Sequence, residues 1–189
     1  PLFSFGIKRG FSASYYWKGD MDEDLVYINR FKSGDLGGFE MLVKKYYNRS
    51  LNIANSLVFN VANSQDIVQE AFIKVYNNLS SFRGDSKFFS WLYRVVVNCS
   101  YDFLRKNKDK MISLEDPDCP DIACEKDSPD LLAGDLIKAA LSKVPFRYRS
   151  AVILRDIEGL SYEDIGKALG VGVGTVESRI FRGRQILKD

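Results

Sequence analysis

The sequence contains no histidine, three cysteines and five prolines. The absence of histidine excludes nucleophilic sites of the Ser-His-Asp and Cys-His types, because both depend on an imidazole base. Cys99, Cys119 and Cys124 do not have the spacing of a metal site, and we expect neither a metal nor a cofactor. Reduced thiols in a cytoplasmic protein are the simplest interpretation of these cysteines.

Long apolar runs are also missing. None approaches the roughly 20 residues that a membrane-spanning helix needs, so we expect no membrane insertion. Lys8 and Arg9 are not followed by an apolar segment, and no signal peptide is predicted. Hydrophobic residues make up 46% and charged residues 28% of the 189 residues, which is typical of a soluble globular protein with one domain or two small ones.

The net charge of +2 conceals a segregation of charge along the chain. Residues 1–20 carry +2, residues 21–108 carry +3, residues 109–130 carry −6 and residues 131–189 carry +3. Two basic blocks therefore flank an acidic connector. This pattern favours nucleic-acid binding, because local neutralisation of phosphates matters more than the net charge of the chain.

Residues 1–20 hold six aromatic residues without a clear period. Met21 is followed by three acidic residues, which favour the first turn of a helix, so Met21 resembles a natural start. We interpret residues 1–20 as an extension that was added or lies upstream. The alternative is a native arm that packs on the domain.

Helical spacing of apolar residues predicts a first domain of about four helices over residues 21–108. Asn63 or Ser64 is the predicted N-cap of one helix, and residues 82–87 interrupt the pattern before helix resumes at Phe88. Residues 109–130 contain three prolines and eight carboxylates, which predicts an acidic flexible linker. Helical patterning returns over residues 131–189. The predicted fold is all-α, with two small helical domains.

The last thirty residues predict a helix-turn-helix, which places its second helix in the DNA major groove. Ser161 and Asp164 form a capping pair, Gly170 ends the first helix, and Gly172 is the predicted N-cap of the second helix. The alternative is a solvated amphipathic helix. Four residues of the second helix are predicted core: Val173, Val176, Ile180 and Leu187. Its outer face presents Thr175, Glu177, Ser178, Phe181, Arg182 and Arg184.

A second motif, over residues 82–105, interleaves aromatic and cationic side chains. Rings can stack on bases while cations follow phosphates, as single-stranded nucleic acid requires. Composition alone favours a helix with buried aromatics. The side chains of interest are Phe82, Arg83, Asp85, Lys87, Phe88, Trp91, Arg94, Asn98 and Arg105.

A third motif, over residues 66–79, predicts a helix with one apolar and one polar face. The residues alone favour an ordinary surface helix, and a partner-binding role is the alternative. The polar face carries Asp66, Gln69, Glu70, Lys74 and Asn77.

The three motifs, in this order, resemble the extracytoplasmic-function sigma factors, group IV of the sigma-70 superfamily. DIVQEAFIKVYNNL resembles region 2.2, FRGDSKFFSWLYRVVVN resembles region 2.3 running into 2.4, and LSYEDIGKALGVGVGTVESRIFRGRQIL resembles region 4.2. The resemblance implies that residues 21–108 are region 2 and residues 131–189 region 4. It implies a specificity subunit of RNA polymerase and not an enzyme.

The resemblance also implies partners and contacts. Asp66, Gln69 and Glu70 would contact the β′ clamp helices of core RNA polymerase, whose β flap is a further partner. The loop at residues 82–88, with Asn98 behind it, would capture a flipped base of the −10 element. Trp91 and Phe82 would wall the base, and Arg94 and Arg105 would hold backbone. The second helix of region 4 would read the −35 element.

Further expectations follow from the resemblance. An anti-sigma factor is an expected partner, and the acidic linker would thread polymerase channels meant for RNA. Glu177 replaces the usual Lys or Arg, so the −35 preference is expected to be unusual, while Gly166 and Gly183 replace alanine and weaken their helices by about 1 kcal/mol each. The rival interpretations are a stand-alone repressor or activator, and an enzyme with an attached helix-turn-helix.

Overall fold

The computed structural model describes residues 17–108 and 133–188. Most of the expected extension at residues 1–20 and all of the expected linker at 109–130 lie outside this part of the chain. Throughout the described residues the regular structure is helical, as predicted. The first domain consists of α1 (Trp17–Lys32), α2 (Gly37–Val58), α3 (Val61–Asn78), a 3₁₀ turn (Leu79–Ser81) and α4 (Phe88–Lys108). The second consists of α5 (Ala133–Ser142), α6 (Phe146–Val152), a π turn (Ile153–Ile157), α7 (Tyr162–Leu169) and α8 (Val173–Ile186).

The helix boundaries of the first domain differ from the predicted ones at two places. The N-cap of α3 is Asn60, whose side-chain oxygen accepts a hydrogen bond from the backbone N–H of Asn63 at 3.0 Å, so Asn63 and Ser64 already lie inside the helix. Helix α1 begins at Trp17, ahead of Met21, so the last four residues of the expected extension are already helical. The break before α4 lies where the sequence placed it, with Gly84 at φ +80°.

The helix-turn-helix consists of α7 and α8. The Ser161 hydroxyl accepts from the Asp164 N–H at 3.1 Å and so caps α7, and Gly170 ends the helix in the left-handed conformation at φ +67°. Gly172 is the N-cap of α8, as predicted. Val176 and Ile180 are buried, but Val173 is 43% exposed because it occupies the first turn of α8, beyond the contact with α7. The prediction that Val173 is core is therefore wrong.

The glycines of this motif are sites of close packing. A β carbon at Gly183 would lie 2.6 Å from Val152 Cγ2, and one at Gly166 would lie 2.9 Å from the carbonyl oxygen of Val171. Contacts below about 3 Å force neighbouring atoms to move, and a backbone oxygen in a tight turn cannot move easily. The two glycines therefore let helices approach, and the expectation that they merely weaken their helices is incomplete.

This packing predicts opposite effects for two glycine substitutions. Gly166→Ala is expected to lower the free energy of unfolding, although alanine has the higher helix propensity. Gly174→Ala, where nothing lies within 4 Å of the new β carbon, is expected to raise it by about 1 kcal/mol. Urea unfolding followed by circular dichroism measures both. Equal stabilisation by the two substitutions would contradict the close approach at Gly166.

The two domains pack against each other. Helix α4 contacts α7, and α2 contacts both α6 and the π turn. The rings of Tyr101 and Phe146 lie 5.4 Å apart across this boundary, and the Arg149 guanidinium lies 4.8 Å from the ring centroid of Phe59. The buried apolar residues of both domains form one continuous cluster. We call this boundary the domain interface.

Candidate nucleic-acid interface

An aromatic triad lies where the loop at residues 82–87 enters α4. The ring of Phe82 lies 5.2 Å from that of Trp91 and 6.0 Å from that of Phe88, and Phe88 lies 6.0 Å from Trp91. The Phe82 carbonyl accepts a hydrogen bond from Lys32 Nζ at 2.6 Å, which fixes the start of the loop. Phe82 and Phe88 are buried, and Trp91 is partly exposed. Trp91 is thus the member that can meet a ligand without rearrangement.

A line of polar side chains continues along α4 from the triad. Arg94 and Asn98 are both exposed and lie one turn apart, and Arg105 lies two turns further on. Arg105 pairs with Asp102 at 3.2 Å, on the exposed surface. The arrangement offers a ring, a cation, an amide and a second cation in sequence, which suits a nucleic-acid strand laid along the helix.

A cavity of about 260 Å³ opens beside the loop. At about 30 Å³ per water molecule it has room for roughly eight to nine waters, which is more space than a single nucleobase occupies. The predicted loop residues Asp85 and Lys87 line it, whereas exposed Arg83 does not. Its full lining is Asp24, Leu25, Ile28, Phe82, Gly84, Asp85, Ser86, Lys87, Phe88 and Lys167.

Lys87 is already engaged within the protein. Its ammonium lies 2.9 Å from Asp164 Oδ2, and the same nitrogen lies 5.4 Å from the ring centroid of Phe89. Asp164 belongs to α7, so this ion pair crosses the domain interface. Lys87 was predicted to bind −10 DNA, and in this structure its ammonium forms an ion pair with Asp164 instead.

The outer face of α8 carries all six predicted side chains at exposed positions: Thr175, Glu177, Ser178, Phe181, Arg182 and Arg184. Phe181 is 62% exposed, which is unusual for a ring that has no ligand to cover it. The Ser178 hydroxyl donates to the Thr175 carbonyl at 2.9 Å, within the helix. The face presents a carboxylate, a hydroxyl and a ring next to one another.

Two arginines of this face have partners inside the second domain. Arg182 donates to the Tyr148 hydroxyl at 3.2 Å, and this hydrogen bond lowers the pKa of Tyr148. Arg184 Nε lies 3.0 Å from Asp156 Oδ2 of the π turn, and the hydrogen bond to Asp156 raises the pKa of Arg184. Asp156 thus holds Arg184 against the π turn, so Arg184 has less freedom than Arg182 to meet a phosphate.

The polar face of α3 is exposed, as the sequence predicted. Asp66, Gln69, Glu70, Lys74 and Asn77 all lie on it. Lys74 Nζ lies 2.7 Å from Glu70 Oε1 and 3.4 Å from Cys99 Sγ, and the hydrogen bond to Glu70 raises the pKa of Lys74. Glu70 is thereby partly neutralised, and Asp66 carries the larger uncompensated charge of this face.

Beside this face lies an apolar groove that the sequence did not predict. The groove has a volume of about 640 Å³ and runs between α2 and α3. Ile73 is 56% exposed and Tyr76 42% exposed. Ile73 lies three residues after Glu70 and seven after Asp66, so helical spacing places this apolar side chain on the polar face. This position could have indicated an apolar contact surface from the sequence alone. The groove is lined by Phe39, Val43, Tyr47, Gln65, Asp66, Gln69, Phe72, Ile73 and Tyr76.

In the described part of the chain, no group of three or more potential metal ligands comes together. No described helix is long and apolar enough to cross a membrane.

Comparison with known proteins identifies the two halves. Residues 42–110 match the family Sigma-70 region 2, and residues 134–187 match Sigma-70, region 4. The RNA polymerase sigma-H factor of Pseudomonas aeruginosa is 38% identical over 178 residues, covering 88% of this chain and 92% of that protein. The ECF RNA polymerase sigma-E factor of Haemophilus influenzae is 34% identical over 180 residues, covering 88% of this chain and 94% of that protein.

Solved structures agree with this relationship. The sigma factor RpoE of Bartonella quintana, in complex with the anti-sigma factor NepR, is 27% identical and superimposes with a TM-score of 0.63, covering 79% of this chain and 94% of that one. CnrH, in complex with the cytosolic domain of CnrY, shares the fold with a TM-score of 0.68 at 24% identity, covering 88% of this chain and 96% of that one.

Membership of this family makes the chain a transcription initiation factor and not an enzyme. The triad and the line of polar side chains on α4 lie in its region 2, and α8 lies in its region 4. The chain belongs to the extracytoplasmic-function RNA polymerase sigma factors.

Proposed function

We propose that α4 and the loop before it capture the −10 element as a single strand. The observation that carries this proposal is the sequence of partly exposed Trp91 and exposed Arg94 and Asn98 along one line, next to a cavity with room for a base. Trp91 stacks on a base, Asn98 bonds a base edge, and Arg94 and Arg105 hold phosphates. Flipping a base out of the duplex costs a few kcal/mol, which stacking and edge hydrogen bonds offset.

Within this proposal the aromatic triad has divided roles. Phe82 and Phe88 are buried, so they support Trp91 and fix the loop, whereas Trp91 and the side chains of the loop face the strand. Lys87 and Asp85 line the cavity, and exposed Arg83 lies between Phe82 and Gly84, which also line it. Lys87 becomes available for phosphate once Asp164 releases it.

We propose that α8 reads the −35 element in the major groove. Glu177, Ser178 and Phe181 are placed to meet base edges, since the carboxylate can accept from a cytosine amine and the ring can contact a thymine methyl group. Thr175 and Arg182 lie at the two ends of this row of side chains and contact phosphates or bases. Arg184, held by Asp156, acts as a positioned cation next to the backbone.

We propose that the polar face of α3 and the apolar groove together bind core RNA polymerase. Asp66, Gln69 and Glu70 would meet polar or cationic groups of the β′ clamp helices, with Lys74 and Asn77 at the edge. Apolar side chains of the same partner would enter the groove next to Ile73. Region 4 would contact the β flap.

This placement predicts the effect of one substitution. Ile73→Asp puts a charge into the apolar contact and is expected to weaken binding to core polymerase at least tenfold, since burying an unpaired charge costs more than about 1.4 kcal/mol. Val26→Asp, the same apolar-to-carboxylate change at a 55% exposed position of α1 outside the groove, is the matched control. Fluorescence anisotropy with labelled chain and core enzyme measures both. Equal affinities for the two variants and the parent would remove the groove from the interface.

Three further assignments belong to this proposal. Residues 21–108 act as region 2 and residues 131–189 as region 4, joined by the acidic connector at 109–130. An anti-sigma factor regulates the chain, as the complex of RpoE with NepR supports for a relative. The chain works in the cytoplasm, where RNA polymerase acts on DNA.

Run-off transcription with core enzyme and a genomic promoter pool tests the whole proposal. Initiation at a defined subset of promoters is expected. Loss of specific initiation by Asn98→Ala at the opening step, and by Arg182→Ala at the duplex-binding step, would separate the two reading sites. Failure to support initiation at any promoter would overturn the proposal.

A further inference from the structure

Two arginines and a tyrosine from two helices come together beside the outer face of α8. Arg147 and Tyr148 lie in the first turn of α6, and Arg182 lies on α8. We call these three residues the arginine–tyrosine cluster. We propose that the cluster binds one backbone phosphate of the duplex that α8 reads, so that α6 is part of the DNA-binding surface. This inference rests on the proposed reading of the −35 element by α8.

The Tyr148 hydroxyl connects the two arginines. It accepts a hydrogen bond from Arg182 Nη1 at 3.2 Å, and the central guanidinium carbon of Arg147 lies 4.8 Å from the centroid of the Tyr148 ring. The hydrogen bond from Arg182 has the largest effect on the pKa of Tyr148 and lowers it, burial raises it, and the charge of Arg147 lowers it further. Both cations therefore act on this one hydroxyl.

Close packing of α6 against α8 fixes the cluster. Tyr148 is 9% exposed, and a β carbon added at Gly183 would lie 3.3 Å from the Tyr148 carbonyl oxygen and 3.4 Å from the Tyr148 β carbon. Gly183 directly follows Arg182, so the missing side chain lets the backbone of α8 approach α6 next to this arginine. The tyrosine ring is thus held between the two helices while its hydroxyl meets an exposed side chain.

The cluster holds donors that no described residue uses. Arg147 Nε is buried and donates to no acceptor among the described residues. The Tyr148 oxygen accepts from Arg182, which leaves its own O–H hydrogen to donate. Neither arginine forms an ion pair with a described carboxylate, whereas Arg184 pairs with Asp156. A buried donor without an acceptor is unfavourable, and a phosphate oxygen bound here would satisfy it with a charge-assisted hydrogen bond.

The position of the cluster favours a DNA phosphate as the anion. The major groove is about 12 Å wide, and a helix with its side chains is about 10–12 Å across. A helix that lies in the groove therefore fills it, and groups beside the helix meet the sugar-phosphate backbone. Arg182 lies four residues after Ser178, one turn along the outer face of α8, and Tyr148 borders this face through its hydrogen bond to Arg182.

The test uses full-length chains and a labelled duplex that the parent has enriched from a randomised library. Arg147→Gln removes one charge, Tyr148→Phe removes only the hydroxyl, and Arg147→Lys keeps the charge without the planar fork. Lys44→Gln, at an exposed position of α2, controls for the loss of one positive charge elsewhere. Fluorescence anisotropy over a range of salt concentrations gives the affinity and its dependence on salt.

Arg147→Gln is expected to weaken duplex binding roughly tenfold and to reduce the slope of log K against log salt concentration by about 0.9, which one phosphate contributes. Tyr148→Phe is expected to weaken binding about two- to tenfold with an unchanged slope, because the hydroxyl carries no charge. Arg147→Lys should keep the slope of the parent, and Lys44→Gln both its slope and its affinity. The ranking of duplex sequences should stay the same throughout, since phosphate contacts carry no sequence information.

A second measurement locates the phosphate. Single phosphates of the enriched duplex are replaced by neutral methylphosphonates, one position at a time. The parent is expected to lose affinity when the phosphate at the cluster is neutralised. Arg147→Gln is expected to show a smaller loss at that position and the full loss at the others, because its contact with that phosphate is already missing.

Three results would count against this proposal or its basis. Affinity and slope like those of the parent in Arg147→Gln and Tyr148→Phe, while Arg182→Ala still weakens binding, would overturn the phosphate site alone. A parent chain that enriches no duplex sequence would instead overturn the reading of the −35 element by α8. Lower stability to urea in both variants, with no methylphosphonate position that distinguishes Arg147→Gln from the parent, would show that the cluster only stabilises the packing of α6 on α8.

Discussion

Trp91→Ala is expected to slow open-complex formation by about 5- to 150-fold, because stacking of one base on an aromatic ring contributes about 1–3 kcal/mol. Trp91 is the partly exposed member of the aromatic triad, and the other two rings are buried beneath it. Stopped-flow fluorescence with a promoter that carries a reporter base in the −10 element measures the rate. Trp91→Phe is expected to retain most of it.

The packing role of Trp91 must be separated from the stacking role. The indole lies 5.2 Å from Phe82, so alanine also removes contacts within the domain. Urea unfolding of the same variant gives that loss, and binding to −35 duplex should be unchanged because the −35-reading face lies on α8 and not on α4. A variant that loses duplex binding, opening and stability in parallel would show that Trp91 is structural only.

Glu177→Lys is expected to change which base is preferred at one position of the −35 element. The carboxylate is exposed on the outer face of α8, where it can accept from a cytosine amine but repels phosphate. A lysine at this position favours guanine, and each well-formed base contact discriminates by about 1–3 kcal/mol. Selection from a randomised duplex library, before and after the substitution, measures the preference.

Two further variants serve as controls for this test. Glu177→Gln removes the charge without adding a cation, so it should change the base preference while leaving the salt dependence nearly unaltered. Glu163→Lys makes the same charge change at an exposed position of α7 and should tighten binding to all sequences without changing their rank. An unaltered base preference in both Glu177 variants would show that this residue does not face a base.

Local chemistry made much of the fold predictable. Ser161, Asp164 and Gly170 act within a few residues of their own positions, so a cap and a left-handed turn could be predicted from sequence. The same local reasoning predicted Asn63 or Ser64 as the N-cap of α3, whereas the cap is Asn60. Several residues in this stretch can cap a helix, and only the packing of α3 determines which one does. The wrong prediction for Val173 has a similar cause. Helical spacing indicates the face of α8 on which Val173 lies, but it does not indicate whether a neighbouring helix covers that position.

The side chains of the candidate site could be proposed from the sequence, but their ion-pair partners could not. The sequence indicated the line on α4 and the face of α8, because cations and aromatics recur there at helical spacing. It could not indicate that Asp156 holds Arg184 or that Asp164 holds Lys87, since these partners are 28 and 77 residues away. The apolar groove beside α3 was missed for a similar reason, because a third of its lining comes from α2.

The continuous cluster of buried apolar residues that spans both domains has a thermal consequence. Separating the domains exposes apolar surface, and such exposure raises the heat capacity. Apolar association weakens on cooling, so the balance between the packed and separated arrangements shifts with temperature. Cooling is therefore expected to favour the separated arrangement, and the radius of gyration measured by small-angle scattering at several temperatures reports that shift.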